Sequence, residues 1–287
     1  MQKLGFVGAG PVGTAFAVNL SQRGYRVVGV VDLDPAEAQW LADEISGCRP
    51  YASAQSLVDD ADIVFITTPD DRIEEVAGGL IWRTGKAAVH CSGATTVRAF
   101  EAARRQGAMA GGIHPCQTFS GRDQAIANLP ASTFGIEAEE PFRSTLTEIA
   151  QALDGDHVYL TSEDKALYHA AAFIAAGYTY TLVDIATDLW QHFGKSKEAA
   201  TRAYVPLMQG TVNNIATIGF PGCPTGPITR GDVGTIEGHI VTLQKHAPDL
   251  LRLYKELGLK SLPVSVARGT LSEDKASELR ALFEAAD

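Results

Sequence analysis

The chain has only four cysteines in 287 residues: Cys48, Cys91, Cys116 and Cys223. None forms a CxxC pair and no disulfide spacing is evident, which argues against both a disulfide framework and a structural zinc site. Basic runs are equally absent. Lys and Arg total 24 against 34 Asp and Glu, a formal charge of −10. So acidic a chain without a basic patch is a poor partner for nucleic acid or anionic lipid. "MQKLGFVGAG" runs directly into an apolar segment closed by glycines, with no h-region and no small-residue cleavage site. A cytoplasmic protein is expected. The stretch 166–183 carries no formal charge and approaches membrane-span length. It contains His169, Gly177 and Tyr178-Thr179-Tyr180-Thr181, so a buried helix of a soluble protein is expected there, packed inside a homodimer.

What is present suits a two-domain globular chain: 45% apolar and 20% charged residues. Short apolar runs alternate with helical stretches through the first half. "KLGFVG", "RVVGVVD", "ADIVFITTP", "AAVHCSG", "AMAGGIHP", "STFGIEA" and "HVYLT" read as strands. Helices are expected over 12–23, 35–45, from Asp71, over 95–105 and over 141–153. Strands separated by helices of this length predict an α/β, doubly wound parallel sheet of Rossmann type. Beyond Thr161 only helical stretches follow, over 163–193, 196–219, 233–246, 248–257 and from Ser272. The expected division is 1–160, a dinucleotide-binding domain, and 161–287, an all-α domain for substrate and dimerisation.

"GFVGAGPVGTAF" holds Gly8-x-Gly10-x-x-Gly13, with Pro11 and Val12 inside the loop. It follows an apolar strand and opens a helix, the context the motif requires. Gly8 permits the tight turn, Gly10 lets backbone approach a pyrophosphate, and Gly13 lets helix pack on strand. Asp32 ends the second strand, where a carboxylate accepts from a ribose 2′-hydroxyl and repels a 2′-phosphate. NAD is therefore expected as cofactor, with NADP possible.

Ligands of open parallel sheets bind beyond the carboxyl ends of the strands. Thr68 and Pro69 stand there, as do Ser92-Gly93, expected near a nicotinamide, and His114, a candidate donor to a substrate carbonyl. Each also has a plain structural reading as a turn or strand end. Cys91 and Cys116 read as small buried side chains. In "EDKALYHAAAFIAAGY", Lys165 and His169 are four apart and share one helical face. They are either structural punctuation or a proton-handling pair. In "TGPITRGD", Arg230 either grips a substrate carboxylate or pairs with Asp232, a candidate helix cap. Thr225 and Gly226 are candidate pocket residues through their backbones.

The order "GFVGAGPVGTAFAVNLSQRG", "FITTPDDRI", "HCSGA", "GIHPCQTF", "DKALYHAAAF", "TGPITRGD" resembles a family of Rossmann-plus-helical proteins. That family joins a dinucleotide-binding domain to a C-terminal helical domain of unknown function. The resemblance runs from the N-terminus to about His246. More distantly, the chain is similar to the superfamily of 6-phosphogluconate, 3-hydroxyisobutyrate, ketopantoate and pyrroline-5-carboxylate reductases and dehydrogenases. The resemblance implies a lysine on the first long helix of the second domain that serves the chemistry, and a polar residue four positions later. Lys165 and His169 match that spacing. It also implies hydride transfer between NAD(P) and a small keto, hydroxy or imino acid. The glycine-rich lead-in before the lysine is missing, and Gly177 stands where the nearer family has Asn. A prephenate- or arogenate-type dehydrogenase, faintly suggested by "GIHP", is one alternative. A dinucleotide sensor without turnover is another.

Overall fold

The structure is a computed structural model and describes residues 2–285. Two compact units divide between Gly177 and Tyr178. In the first, the strands are β1 (Lys3–Val7), β2 (Arg26–Val31), β3 (Arg49–Pro50), β4 (Ile63–Ile66), β5 (Ala87–His90), β6 (Met109–Pro115), β7 (Thr133–Ala138) and β8 (Asp156–Tyr159). They form one sheet ordered β3-β2-β1-β4-β5-β6-β7-β8. The helices are α1 (Pro11–Gln22), α2 (Pro35–Asp43), α3 (Ala54–Asp60), α4 (Ile73–Gly78), α5 (Glu101–Arg105), α6 (Arg122–Asn128) and α7 (Phe142–Ala152). They cover both faces of the sheet. On one face Phe6 stacks on Phe65 at 4.7 Å, with Phe16 and Phe134 behind them. On the other, Val64, Ile66, Leu57, Ile73 and Phe100 close a second core. Strands buried on both faces read as continuous apolar runs, which is why the sequence shows them clearly.

The expected parallel sheet is met from β3 through β6. β7 then pairs antiparallel with β6, and β8 parallel with β7. The cause lies in the connection: α6 packs against α1, fixed by Asn19 Nδ2 donating to Ile126 O at 2.9 Å. It makes no crossover over β6, so no parallel return is imposed. The short elements β3, α3 and α6 were not expected. The helix expected over 95–105 opens as a 3-10 turn, Val97–Phe100, before α5.

The long helix α8 (Lys165–Leu189) begins in the first unit. Its first turns belong to the sheet because Lys165 is fully buried there and Tyr168 lies against Gly135 of β7, where a Cβ would meet the phenol ring at 2.9 Å. The second unit continues with α9 (Lys197–Ile218), α10 (Val233–His246), α11 (Pro248–Ala267) and α12 (Glu273–Glu284). The expected stop near Leu257 is wrong, since α11 runs on through Pro263. The last three helices share a core of Ile236, Leu262, Leu271, Leu279 and Phe283.

The expectation that the uncharged stretch of α8 is buried is not met within the chain. Leu167 is 78% exposed, Ile174 62% and Tyr180 66%. Among the described residues, Lys165–Phe193 is the one helical segment long and apolar enough to cross a membrane by length and composition. The next helix, α9, exposes Val205, Leu207, Val212, Ile215 and Ile218 and buries only Ala200.

Candidate active site

The glycine loop is built as its spacing predicts. Gly8 has φ +109°, and its N–H donates to Val31 O at 2.8 Å. A Cβ on Gly8 would lie 2.7 Å from Thr67 O. One on Gly13 would lie 2.4 Å from Gly8 O, so both positions exclude a side chain. Thr67 Oγ1 donates to Gly8 O at 2.8 Å and ties β4 to the loop. Gly10 differs: a Cβ there meets nothing within 4 Å, leaving open space at the start of α1. Pro11 takes the first helical position, where its missing N–H costs nothing, and Val12 is half-buried behind it. Both oxygens of Asp32 accept backbone bonds, Oδ2 from Ala9 N–H at 2.7 Å and Oδ1 from Asp34 N–H at 2.9 Å. Asp32 therefore braces the loop and keeps lone pairs for a hydroxyl. Thr68 Oγ1 is buried without a hydrogen-bond partner among the described residues. Pro69 begins the turn Asp70–Arg72. Open space at Gly10, an acceptor at Asp32 and an orphaned hydroxyl at Thr68 fit a nicotinamide dinucleotide.

At the ends of β5 and β6 the four residues expected to be catalytic come together. Lys165 Nζ, fully buried, donates to Ser92 O at 2.8 Å and lies 3.9 Å from Glu137 Oε2. Ser92 contributes its carbonyl to the lysine, while its hydroxyl is committed elsewhere. Oγ donates to Asp70 Oδ2 at 2.6 Å and accepts from Thr95 N–H at 2.9 Å and Ala94 N–H at 3.2 Å. Gly93 makes room for two imidazoles. A Cβ there would lie 2.5 Å from His169 Cδ2 and 2.8 Å from His114 Nε2. The two rings meet edge to face at 5.8 Å. His114 Nδ1 is 3.0 Å from Tyr168 Oη, one residue before His169 on α8. Lys165, Tyr168 and His169 share one face of the helix, at i, i+3 and i+4.

Burial sets the charge states. It lowers the Lys165 pKa below its ordinary value, opposed chiefly by the Glu137 carboxylate. It pushes His114 down to about 4, with the Lys165 charge adding to the effect. The His114 ring is neutral near pH 7. Burial raises the Tyr168 phenol, and it raises the Cys91 thiol so far that no thiolate forms at neutral pH. Cys91 is buried as expected. Cys116 is exposed, against expectation: it follows the last residue of β6, and although its N–H still donates to Thr133 O at 2.9 Å, its side chain lies at the surface.

His90, ending β5, is buried with neither ring nitrogen in a well-formed hydrogen bond among the described residues, and its pKa falls to about 3 through burial and then the Lys165 charge, against a smaller opposing effect of the Thr96 backbone. This has a measurable consequence. In the unfolded chain His90 and His114 take up protons near 6.5, whereas in the folded chain they do so only near 3 and 4. Stability is therefore full above about pH 6.5 and falls as pH drops toward 3, by on the order of 4 kcal/mol for His90. Urea unfolding at stepped pH should show this decline, and His90→Leu should flatten about half of it.

Three further residues belong to this cluster and escaped the sequence reading. Glu137 is buried on β7; its Oε2 accepts from Val97 N–H at 3.1 Å, and Oε1 accepts from Ser162 Oγ. A lone acid inside the apolar run "STFGIEA" was the available signal. Asp70 anchors Ser92, and Tyr168 anchors His114.

Arg230, Thr225 and Gly226 belong to the second unit. Arg230 is exposed, with no ion pair among the described residues. The alternative Arg230–Asp232 pairing is not formed; Asp232 caps α10 by accepting from Thr235 N–H at 3.1 Å and Thr235 Oγ1 at 2.7 Å. Gly226 adopts φ +111°, which favours glycine. Thr225 lines a cavity of about 610 Å³ with Asn214, Thr229, His239 and Tyr254, and neither Arg230 nor Gly226 lines it.

Residues 1–115 match the Rossmann-like domain family, and residues 132–261 match a domain of unknown function, DUF2520. The chain joins these two domains, as its motif order leads one to expect. A 2-hydroxy-3-oxopropionate reductase of Escherichia coli (strain K12) is 36% identical over 80 residues, 27% of this chain. The match spans 25% of that relative's length. A solved protein of Thermotoga maritima shares the fold at 24% identity and TM-score 0.74, covering 93% of this chain and 99% of its own. A reductive aminase from Aspergillus terreus in complex with NADPH and ethyl levulinate superposes at TM-score 0.63, with 17% identity and coverage of 97% and 98%. A pyrroline-5-carboxylate reductase from Coxiella burnetii does so at TM-score 0.60, with 19% identity and coverage of 97% and 98%.

Proposed function

We propose that this protein is an NAD(P)-dependent oxidoreductase that reduces or oxidises a small keto, hydroxy or imino acid, with Lys165 as the group that exchanges the proton. The observation that supports it most is the fully buried Lys165 ammonium, held by Ser92 O beside two imidazoles on the sheet that carries the glycine loop. When bound, the dinucleotide supplies or accepts the hydride. The Gly8–Gly13 loop, Asp32 and Thr68 would hold it, with open space at Gly10. Lys165 then gives its proton to the substrate oxygen or nitrogen, or takes one in the reverse direction. A lysine made less basic by burial suits that transfer. His114, neutral and oriented by Tyr168, and His169 hydrogen-bond the substrate from the same side. Arg230 is proposed as the carboxylate ligand on its chemistry alone, an exposed guanidinium without an ion pair among the described residues.

The named relatives support this reading, being reductases of a hydroxy-oxo acid and of an imino acid and a reductive aminase with NADPH. Asp32 favours NAD and the aminase was solved with NADPH, so both cofactors belong in the test. A panel of keto, hydroxy and imino acids, prephenate included, is assayed with each reduced and oxidised dinucleotide by nicotinamide absorbance. Turnover of a small acid is expected. Dinucleotide binding with no turnover of any member would leave a sensor instead.

A cytoplasmic homodimer through the exposed apolar residues of α8 and α9 is part of the same proposal. Charges at the foot of these helices are mutually satisfied, Lys197 Nζ bridging Asp184 at 2.5 Å and Asp188 at 3.0 Å, so the face left over is apolar. A patch of this kind marks an interaction surface. Sedimentation should give twice the 30.5 kDa chain mass, and Leu207→Glu with Ile215→Glu should return it to one chain. A monomeric wild type would contradict the proposal.

A further inference from the structure

We propose that Glu137 and Ser162 form a route by which protons pass between solvent and Lys165. The inference rests on the proposed role of Lys165. The lysine has no exposed surface, so a proton it gives away has to be replaced through other groups. Glu137 is one such group, 3.9 Å away and itself nearly without exposure. Its other oxygen accepts from the half-buried Ser162 hydroxyl. Glu137 and Ser162 in turn line a cavity of about 600 Å³. The rim of that cavity includes Arg98, Arg104, Glu139 and Glu140, all exposed, so it communicates with water. Lysine, carboxylate, hydroxyl and a wet cavity thus follow one another in space.

The Lys165 Nζ–H bond breaks as the substrate atom takes the proton, leaving a neutral amine. Water in the cavity gives a proton to Ser162 Oγ, which passes its own to Glu137 Oε1. A half-turn of the carboxyl group about its Cγ–Cδ bond carries that proton to the lysine side, and closure of the gap to Nζ delivers it. One solvent proton is consumed, Lys165 and Glu137 return to their starting forms, and no other reactant is required. The reverse sequence serves oxidation. Besides Glu137, the titratable groups facing Lys165 are Asp70 after β4, His90 and Cys91 at the end of β5, and His114 on β6. None of these four lines the cavity.

Two readouts test this. The first needs no substrate. NMR titration of the protein with lysine labelled at Cε, the Lys165 signal being assigned by Lys165→Met, should place its midpoint lower in Glu137→Gln than in wild type. A drop of about one to three pH units follows from losing an opposed charge at this distance. The midpoint should be unmoved in Ser162→Ala. The second is kinetic. Ser162→Ala should slow turnover roughly ten-fold with KM unchanged and an enlarged solvent isotope effect. In Glu137→Ala, formate or acetate entering the cavity should restore turnover in proportion to its concentration. An unmoved Lys165 midpoint in Glu137→Gln overturns the route even if no substrate is ever found. Unchanged turnover in Ser162→Ala together with no rescue by formate overturns it in an active enzyme. If the midpoint moves as expected but no acid in the panel is turned over, it is the enzymatic reading that fails.

Discussion

Lys165→Met is expected to lower turnover roughly a thousand-fold while leaving dinucleotide affinity within about two-fold. In the proposed mechanism the lysine exchanges the proton, and no neighbour in the cluster can replace it. His114 is held neutral by burial, and the Ser92 hydroxyl is fixed between Asp70 and two backbone amides. Dinucleotide affinity is assigned in the proposal to other residues, namely the glycine loop, Asp32 and Thr68. The same substitution should cost stability, because it leaves the Glu137 carboxylate buried without its facing cation. Removing one partner of a buried pair costs about 3 kcal/mol or more. The double variant Lys165→Met with Glu137→Gln removes both charges and should recover most of that stability without recovering activity. Denaturant unfolding beside steady-state kinetics on the two variants separates the proton role from the folding role. A double variant as stable as wild type but still active would remove Lys165 from the chemistry.

Gly13→Ala is expected to cost both folding stability, about 3 kcal/mol, and at least roughly a hundred-fold in dinucleotide affinity. Its methyl would stand 2.4 Å from Gly8 O and 2.5 Å from Thr67 Oγ1. The first of these is backbone, so relief requires α1 to move off β1. That shift opens the loop whose amides would face a bound pyrophosphate. Gly10→Ala makes the contrast. Gly10 has φ −65° and open space around it, so a methyl there leaves stability unchanged yet occupies the place a pyrophosphate would take. One glycine is needed for packing and the other for the ligand, and melting curves beside binding isotherms tell them apart.

Much of this was legible in the chain itself. The strand-loop-helix of "GFVGAGPVGTAF" and the acid closing "VVGVVD" are local features, and local physics decides them. The i, i+4 spacing of Lys165 and His169 is also local, and it placed both on one face of a real helix. What escaped depends on distant partners. Glu137 meets Lys165 and Val97 across 28 and 40 positions of sequence, and nothing in its neighbourhood announces either contact. Ser92 stands among the strand-end candidates of the sequence, but that its carbonyl serves the lysine while Asp70 on another loop takes its hydroxyl shows only in the fold. The reversal of β7 reflects the packing of α6 on α1, again a tertiary cause. The apolar length of α8 is legible in the sequence, and the single chain leaves much of it exposed, because periodicity reports what wants covering and not what covers it.

The central claim is that the first unit holds a nicotinamide dinucleotide, and titration of the whole chain with NADPH and NADH tests it most directly. Nicotinamide fluorescence should saturate at one equivalent per chain for at least one of the two. Gly10→Ala, melting at the wild-type temperature, should lose that binding. A wild type that binds neither dinucleotide, or a Gly10→Ala variant that binds as tightly, would contradict the account.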